Sequence, residues 1–155
     1  MAKPDKDGIR IIASNRKAYH DYSIEETWEA GIVLDGGEVK MLRAQKCVLP
    51  GAHVRILRGE AFLHGMSIPE YPWAHQFASV PDRPRKLLLH QREILKIEHA
   101  LKSKGTSCVV TKVYFKGAKV KVEIALGTGK KEHDKRENVK EKEAKREVAR
   151  VMKRG

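Results

Sequence analysis

Alternation of apolar and polar side chains predicts one long strand near the start of the chain. Between residues 22 and 34 the even positions are apolar except for Glu26, and most odd positions are polar. The apolar set is Tyr22, Ile24, Trp28, Ala30, Ile32 and Leu34. A period of two is typical of a strand that buries one face. We therefore expect a half-buried strand over residues 22–34.

The pattern changes after Gly36-Gly37, which ends this strand. Residues 38–46 predict a short helix, with Val39 and Leu42 facing inward and Lys40 and Arg43 facing outward. Two strand-like runs follow at residues 52–57 and 61–68. They are joined by Arg58-Gly59-Glu60, a connection of hairpin length.

The second half of the chain contains a proline-rich loop, a helix and a hairpin. Four of the six prolines lie within residues 69–85, and a loop of this length is usually functional or mobile. Residues 90–104 predict a helix, with Glu93 placed to cap its start and Gly105 at its end. Residues 107–115 and 119–126 alternate around a short turn and predict the plainest hairpin of the sequence.

Several short antiparallel strands with inserted helices predict a mainly β fold. The leading candidate is an OB-like antiparallel barrel flanked by short helices, because that fold has five strands and carries inserted helices. The number of strands is the least determined feature of this fold.

Charge divides the 155-residue chain into a body and a tail. The whole chain has a net charge of +12, of which residues 1–129 carry +7 and residues 130–155 carry +5. The last 26 residues contain no aromatic residue, Leu or Ile, so they cannot bury enough surface to fold alone. We expect a body over 1–129, flexible over 1–8, and a basic tail over 130–155. The tail is expected to be disordered when free and helical on a surface.

The sequence holds no recognisable constellation for catalysis, metal or cofactor binding. Gly127-Thr128-Gly129-Lys130 lacks the remaining residues of a phosphate-binding loop. The seven histidines form no HExxH pattern, and Cys47 and Cys108 have no CxxC spacing. We therefore predict that the protein is not an enzyme and has no metal site and no cofactor.

Composition also constrains compartment and partner. No apolar stretch approaches the ~20 residues of a membrane span, and the N-terminus has no apolar signal segment. Two cysteines without a framework fit a reducing cytoplasm, so we expect a cytoplasmic protein that does not bind membranes. A pI near 9.8 favours nucleic acid. Because aromatics make up only 6% of residues, shape recognition of a folded RNA fits better than base stacking.

Blocks of sequence spread along the chain resemble the SmpB family of tmRNA-binding proteins. The blocks are 15–22, 29–32, 37–40 with 42–43, 59–63, 85–90 with 92–93, 114–116 with 120–122 and, most specifically, the tail run Gly129-Lys130-Lys131-Glu132-His133-Asp134-Lys135-Arg136. They occur in order over roughly residues 10–153. This resemblance implies an OB-like barrel and a role in trans-translation.

The resemblance implies binding to the tRNA-like domain of tmRNA, promotion of its alanylation and its delivery to stalled ribosomes. It also implies that the tail probes the empty mRNA channel near the decoding centre. Elongation factor Tu, which carries alanyl-tmRNA, is implied as a further partner, and the protein is expected to be a monomer. The family's RNA-binding positions match Asn15, Tyr22, Glu29, Lys40, Arg43, Lys86 and Leu88. The ribosome-directed positions match Lys130, Lys131, His133, Asp134, Lys135 and Arg136.

Composition alone leaves another class open. A ribosome-associated structural protein that binds ribosomal RNA would also be basic and have a charged tail. Stoichiometry separates the two hypotheses, because a structural component accompanies every ribosome whereas a rescue factor is enriched with tmRNA and stalled ribosomes.

Overall fold

An antiparallel barrel organises the part of the chain that the computed structural model describes, which is residues 8–73, residues 80–130 and Arg146. Its elements are β1 (Ile9–Ser14), α1 (Arg16–Asp21), β2 (Tyr22–Ile32), α2 (Gly36–Arg43), β3 (His53–Leu57), β4 (Glu60–His64), β5 (Arg85–Leu88), α3 (Gln91–Leu101), β6 (Thr106–Lys116) and β7 (Lys119–Gly129). The expectation of a mainly β fold with short helices is confirmed.

Six of these strands close into a ring. The sheet order is β1-β6-β3-β4-β5-β2-β7, and β7 pairs again with β6. All pairs are antiparallel, and β1 lies outside the ring against the C-terminal half of β6. Closure satisfies the backbone groups that an open sheet would leave at its edges. The ring has one strand more than the five of an OB fold.

The elements that were not predicted from the sequence are those with a weak local pattern of apolar and polar residues. Residues 85–88 form β5, which lies between the predicted loop and the predicted helix and was not itself predicted. A four-residue strand is too short to show a clear period. The sequence pattern also missed β1 and α1, because a register shift between Ile11 and Ala13 breaks the alternation of β1. In α1 only Ala18 is buried, so that helix has almost no apolar stripe.

Both predicted hairpins are confirmed. The β6–β7 turn is Gly117-Ala118, and Gly117 has a φ of 62° that glycine adopts without steric cost. The β3–β4 turn is Arg58-Gly59, with φ values of 52° and 76°. Two successive positive φ angles match the twist of a tight hairpin. The second strand of this pair ends at His64 rather than at residue 68.

Capping sets the starts of α2 and α3. The Asp35 carboxylate accepts a hydrogen bond from the Glu38 N–H at 2.8 Å, and the Glu38 side chain accepts one from the Asp35 N–H at 3.1 Å. This capping box starts α2 at Gly36, two residues before the predicted start. In α3 the Glu93 side chain accepts from the His90 N–H at 2.9 Å, as predicted. The helix ends at Leu101, three residues early.

The core fills the inside of the barrel and extends under the helices. The long β6–β7 hairpin supplies Val110, Val113, Val122 and Ile124, all with no exposed surface. Leu42 of α2 and Ile97 of α3 are also fully buried, so both helices pack against this core. As predicted, Lys40 and Arg43 lie on the exposed face of α2.

Candidate nucleic-acid interface

A groove of about 810 Å³ runs beside β5 and the N-terminus of α3. Three of the seven RNA-binding residues expected from the sequence lie in it, because β5 pairs with β2 and places Leu88 opposite Gly31. Its charged and titratable lining residues are Glu29, Arg58, Glu60, Lys86, His90, Glu93 and Lys121, and Leu88 is its exposed apolar residue. We call this the β5 groove. Arg58, Lys86 and Lys121 give the groove three positive side chains that can meet an anionic ligand, beside the three acids Glu29, Glu60 and Glu93.

Leu88 forms an apolar wall of the β5 groove. Its side chain is 56% exposed, although a leucine in a strand is more often part of a core. The absence of a side chain at Gly31 makes room for it, since a Cβ there would lie 3.2 Å from the Leu88 Cβ. Leu88 is therefore available for contact with a ligand.

Glu29 is an acid held at the rim of the groove. Its carboxylate accepts a hydrogen bond from the buried hydroxyl of Tyr114, and Lys116 Nζ lies 3.3 Å from its Oε1. The Tyr114 hydrogen bond, assisted by Lys116 and by the charge of Lys121, holds the pKa of Glu29 below its ordinary value. Burial and the Glu29 charge raise the pKa of Tyr114. Glu29 is thus an anion and Tyr114 a neutral donor at neutral pH.

Lys86 extends from β5 on the exposed side of the groove. Its Nζ lies 3.3 Å from Glu60 Oε1, and both side chains are about half exposed. A pair so exposed to water is worth only about 0–1 kcal/mol. Lys86 can therefore exchange Glu60 for a phosphate at little cost.

Lys40 and Arg43 form a second basic surface on α2. Lys40 Nζ lies 4.8 Å from the centre of the Tyr71 ring, within the range of a cation–π contact. Arg43 stands exposed in the last turn of the helix, where the helix dipole favours a positive charge. Both side chains present donors to solvent on the same helix.

A buried ion pair fixes α2 relative to β5. Arg85, with no exposed surface, donates from Nε to Glu38 Oε2 at 2.7 Å and from Nη1 and Nη2 to the carbonyls of Met66 and Pro81 at 2.8 Å. Arg83 also pairs with Glu38. Because Arg85 precedes Lys86 and Glu38 lies two residues before Lys40, this network sets the spacing of the two basic surfaces.

The other two body residues expected to bind RNA lie at the opposite end of β2. Asn15 is 7% exposed: its N–H donates to the Thr111 carbonyl at 2.7 Å, and its Nδ2 donates to the Val110 carbonyl at 3.2 Å. Tyr22 is half-buried at the start of β2. Both line a cavity of about 330 Å³ between α1, β3 and β6, which we call the α1 cavity.

Strand geometry keeps these two groups apart. Tyr22 and Glu29 are seven residues apart on β2, which corresponds to roughly 23 Å at 3.3 Å per residue. The structure thus brings Glu29, Lys86 and Leu88 together, places Lys40 and Arg43 nearby on α2, and leaves Asn15 and Tyr22 at the far end.

Lys130 is the one residue of the expected ribosome-directed set that the structure describes. Its N–H donates to the Asp21 carbonyl at 2.8 Å, and its Nζ donates to the Tyr19 carbonyl at 3.0 Å. These bonds tie the end of β7 to α1. Lys131, His133, Asp134, Lys135 and Arg136, the expected tail conformation and residues 1–7 lie outside the described residues.

Sequence reasoning gave no role to several residues that shape the site. Tyr114 and Lys116 contact Glu29 from β6, and Arg58 reaches the groove from the β3–β4 turn. No local signal links Tyr114 to Glu29, because the two residues are 85 positions apart.

Two observations on residues 8–73 and 80–130 concern metal binding and thiol chemistry. No group of three or more His, Cys, Asp or Glu side chains there could hold a metal ion. Burial raises the pKa of Cys47 to about 11 and of Cys108 to about 12, so neither is a thiolate at neutral pH. Among the same residues no helix is long and apolar enough to cross a membrane.

Comparison with known proteins gives one consistent result. The family model described as SmpB protein matches residues 12–154. The SsrA-binding protein of Persephonella marina is 49% identical over 146 residues, which cover 94% of this chain and 96% of that protein. The SsrA-binding protein of Thermobifida fusca is 48% identical, with 98% and 96% covered.

Structural comparison agrees with the sequence matches. A solved structure described as "tmRNA-SmpB: a journey to the center of the bacterial ribosome" superposes with a TM-score of 0.65. The two chains are 41% identical, and the match covers 77% of this chain and 85% of the other.

Proposed function

This chain belongs to the SmpB family, and from that premise we propose how its body and tail act in trans-translation. The protein binds tmRNA and works at the ribosome. Its body holds the tRNA-like domain of tmRNA, promotes alanylation of that RNA and delivers it to stalled ribosomes. It does this as an RNA-binding protein and not as an enzyme. The gathering of Glu29, Lys86 and Leu88 in the β5 groove carries this proposal.

The β5 groove offers three kinds of contact to a folded RNA. Lys86, with the neighbouring Arg58, supplies positive charge for phosphates, which dominate the affinity of proteins for RNA. Leu88 supplies an apolar surface that water leaves when a ribose or base packs on it. Glu29 repels phosphate and accepts hydrogen bonds, so it favours 2′-hydroxyl or base amino groups. Together they orient the RNA as well as attract it.

The α2 surface extends the same interface. Lys40 and Arg43 meet the backbone of the RNA beside the groove, at a spacing set by the buried Glu38–Arg85 pair. Asn15 and Tyr22 contribute at the far end, where the Tyr22 side chain is half-buried and Asn15 mainly holds α1 in place.

The tail performs a separate task in this proposal. Residues 131–155 enter the empty mRNA channel near the decoding centre and become helical there, with His133 stacking on a ribosomal base and Asp134, Lys135 and Arg136 beside it. Lys130, at the end of the body, and Lys131, the first residue of this segment, form the connection between the two. The protein acts as a monomer in the cytoplasm, and elongation factor Tu accompanies the alanylated tmRNA as a further partner.

Sequencing the RNA that copurifies with the tagged protein tests the proposal directly. We expect tmRNA to be enriched many-fold over its share of total RNA, together with ribosomal RNA from stalled ribosomes. If ribosomal RNA alone were recovered, in proportion to all ribosomes, a ribosome-associated structural protein would replace the proposal.

Removal of residues 131–155 tests the division of labour. The stop is placed after Lys130 because its two hydrogen bonds to α1 then remain. We expect the shortened protein to keep its melting temperature and its affinity for tmRNA, and to lose peptide tagging of stalled chains. Equal loss of binding and tagging would contradict the two-part mechanism.

A further inference from the structure

The Tyr114 hydroxyl reaches Glu29 across an intervening strand. Tyr114 on β6 lies opposite Lys121 on β7, and Lys121 lies opposite Gly31 on β2. The hydrogen bond therefore spans two strand spacings, roughly 10 Å of sheet. Tyr114 is only 4% exposed, so packing holds its ring, and its hydroxyl donates to Glu29.

This bond leaves part of the Glu29 carboxylate available to a ligand. Tyr114 donates to Oε2, and Lys116 Nζ lies 3.3 Å from Oε1 and 3.5 Å from Oε2. Two carboxylate oxygens offer about four acceptor positions. Both donors come from β6, and Glu29 also lines the β5 groove, where its remaining acceptor positions can meet a ligand.

A mobile glutamate at this place would weaken the groove. Lys86 and Lys121 line the same groove, and an unrestrained carboxylate could pair with either of them. Such a pair would neutralise a lysine that could otherwise bind phosphate. It would also occupy the carboxylate oxygens of Glu29, which could then not accept a hydrogen bond from RNA. Fixing the carboxylate on the β6 side keeps the basic and acidic parts of the groove separate.

We propose that Tyr114 is a positioning residue for RNA recognition: its buried hydroxyl orients the Glu29 carboxylate so that Glu29 accepts a hydrogen bond from a ribose 2′-hydroxyl or a base amino group. Tyr114 itself does not touch the RNA. This inference rests on the proposed function, since it deepens the account of how the groove binds RNA.

A double-mutant cycle in the full chain measures the coupling. The four proteins are the wild type, Tyr114→Phe, Glu29→Gln and the double variant, and the probe is the isolated tRNA-like domain of tmRNA. A hydrogen bond to a charged group changes an equilibrium by a factor of roughly 10 or more. We expect Tyr114→Phe to weaken binding about tenfold in the wild type and less than about twofold beside Glu29→Gln. Equal losses in both backgrounds would overturn the proposal.

Thr111→Val is the matched control. Thr111 also lies on β6, and its hydroxyl also donates to a carboxylate, that of Glu123. This variant removes the same kind of bond from the same sheet without touching Glu29. We expect it to leave RNA affinity within about twofold; a tenfold loss would show that any weakening of β6 has this effect. The dependence of affinity on salt should be unchanged by Tyr114→Phe, because no phosphate contact is lost.

Titration of the Glu29 carboxyl carbon by NMR tests the positioning without RNA. Loss of the Tyr114 hydrogen bond should raise the pKa of Glu29 in Tyr114→Phe, whereas a merely structural effect would leave that titration in place. An unchanged titration would overturn the proposal. If the titration moves but the wild type does not bind the tRNA-like domain, the proposed function fails while the contact between the two residues stands.

Discussion

The two ends of β2 differ in how accessible their side chains are. At the Glu29 end the side chains face an open groove, and the neighbouring Leu88 is 56% exposed. At the Tyr22 end Asn15 is only 7% exposed and donates a hydrogen bond to β6. Both ends hold positions that the SmpB resemblance marks as RNA-binding. Their surroundings assign them different tasks, because a side chain must be accessible before it can contact RNA. We infer that the groove end makes contacts and that Asn15 maintains the surface on which contacts are made.

Asn15→Ala should produce the largest loss of stability. The substitution leaves the Val110 carbonyl without its side-chain donor in a buried site, which costs about 1–3 kcal/mol. The cost falls in the lower half of that range, since Asn15 Oδ1 has no hydrogen-bond partner among the described residues and its removal is a gain. Urea unfolding gives the change in the free energy of unfolding. A stable variant that loses RNA binding would make Asn15 a contact residue instead.

Leu88→Ala, in contrast to Asn15→Ala, should clearly lower the affinity for RNA and change the free energy of unfolding little. Removing this apolar wall costs about 1 kcal/mol of binding free energy, or roughly a fivefold weaker complex with the tRNA-like domain. Leu95→Ala is the matched control, since Leu95 is 55% exposed and lies outside the groove lining. Equal effects of the two variants on RNA affinity would remove the groove from the interface.

Lys86→Ala should weaken binding mainly at low salt. Loss of one phosphate contact lowers the magnitude of the slope of log affinity against log salt by about 1. Lys96→Ala is the control, because Lys96 also pairs with a strand glutamate, Glu26, but does not line the groove. Neither change should alter the free energy of unfolding by more than about 1 kcal/mol. An unchanged slope for Lys86→Ala would show that Lys86 meets no phosphate.

The smallest effect is the pH dependence that Glu29 gives to stability. Its pKa is lower in the folded protein than the ordinary value of 4.5, so its charged form stabilises the fold above that pH. This contribution is lost as the pH falls through the lowered pKa. The gap in free energy of unfolding between the wild type and Glu29→Gln should therefore be constant near neutral pH and narrow in acid. If the gap instead widened in acid, the charged form of Glu29 would destabilise the fold, contrary to this prediction.

Patterns along the chain predicted the parts of the fold that repeat over many residues. The long strands β2, β6 and β7, both hairpins, and the outward faces of Lys40 and Arg43 followed from alternation, turn residues and helical spacing. The elements β1, β5 and α1 escaped prediction, because a register shift hides the alternation of β1, β5 has only four residues, and α1 has almost no apolar stripe. Membership in the SmpB family supplied candidate residues without saying which of them are exposed.

By itself the sequence determined the mainly β class and the basic character of the chain, and its resemblance to the SmpB family supplied candidate interface residues. Tertiary structure alone decided that the ring closes with six strands, that Leu88 is exposed, that Asn15 is buried and that Tyr114 holds Glu29. The physical reason is that local periodicity depends on neighbouring residues, whereas burial and these contacts depend on strands brought together from distant parts of the chain. The Tyr114–Glu29 hydrogen bond exists only because β7 lies between β6 and β2 in the closed barrel.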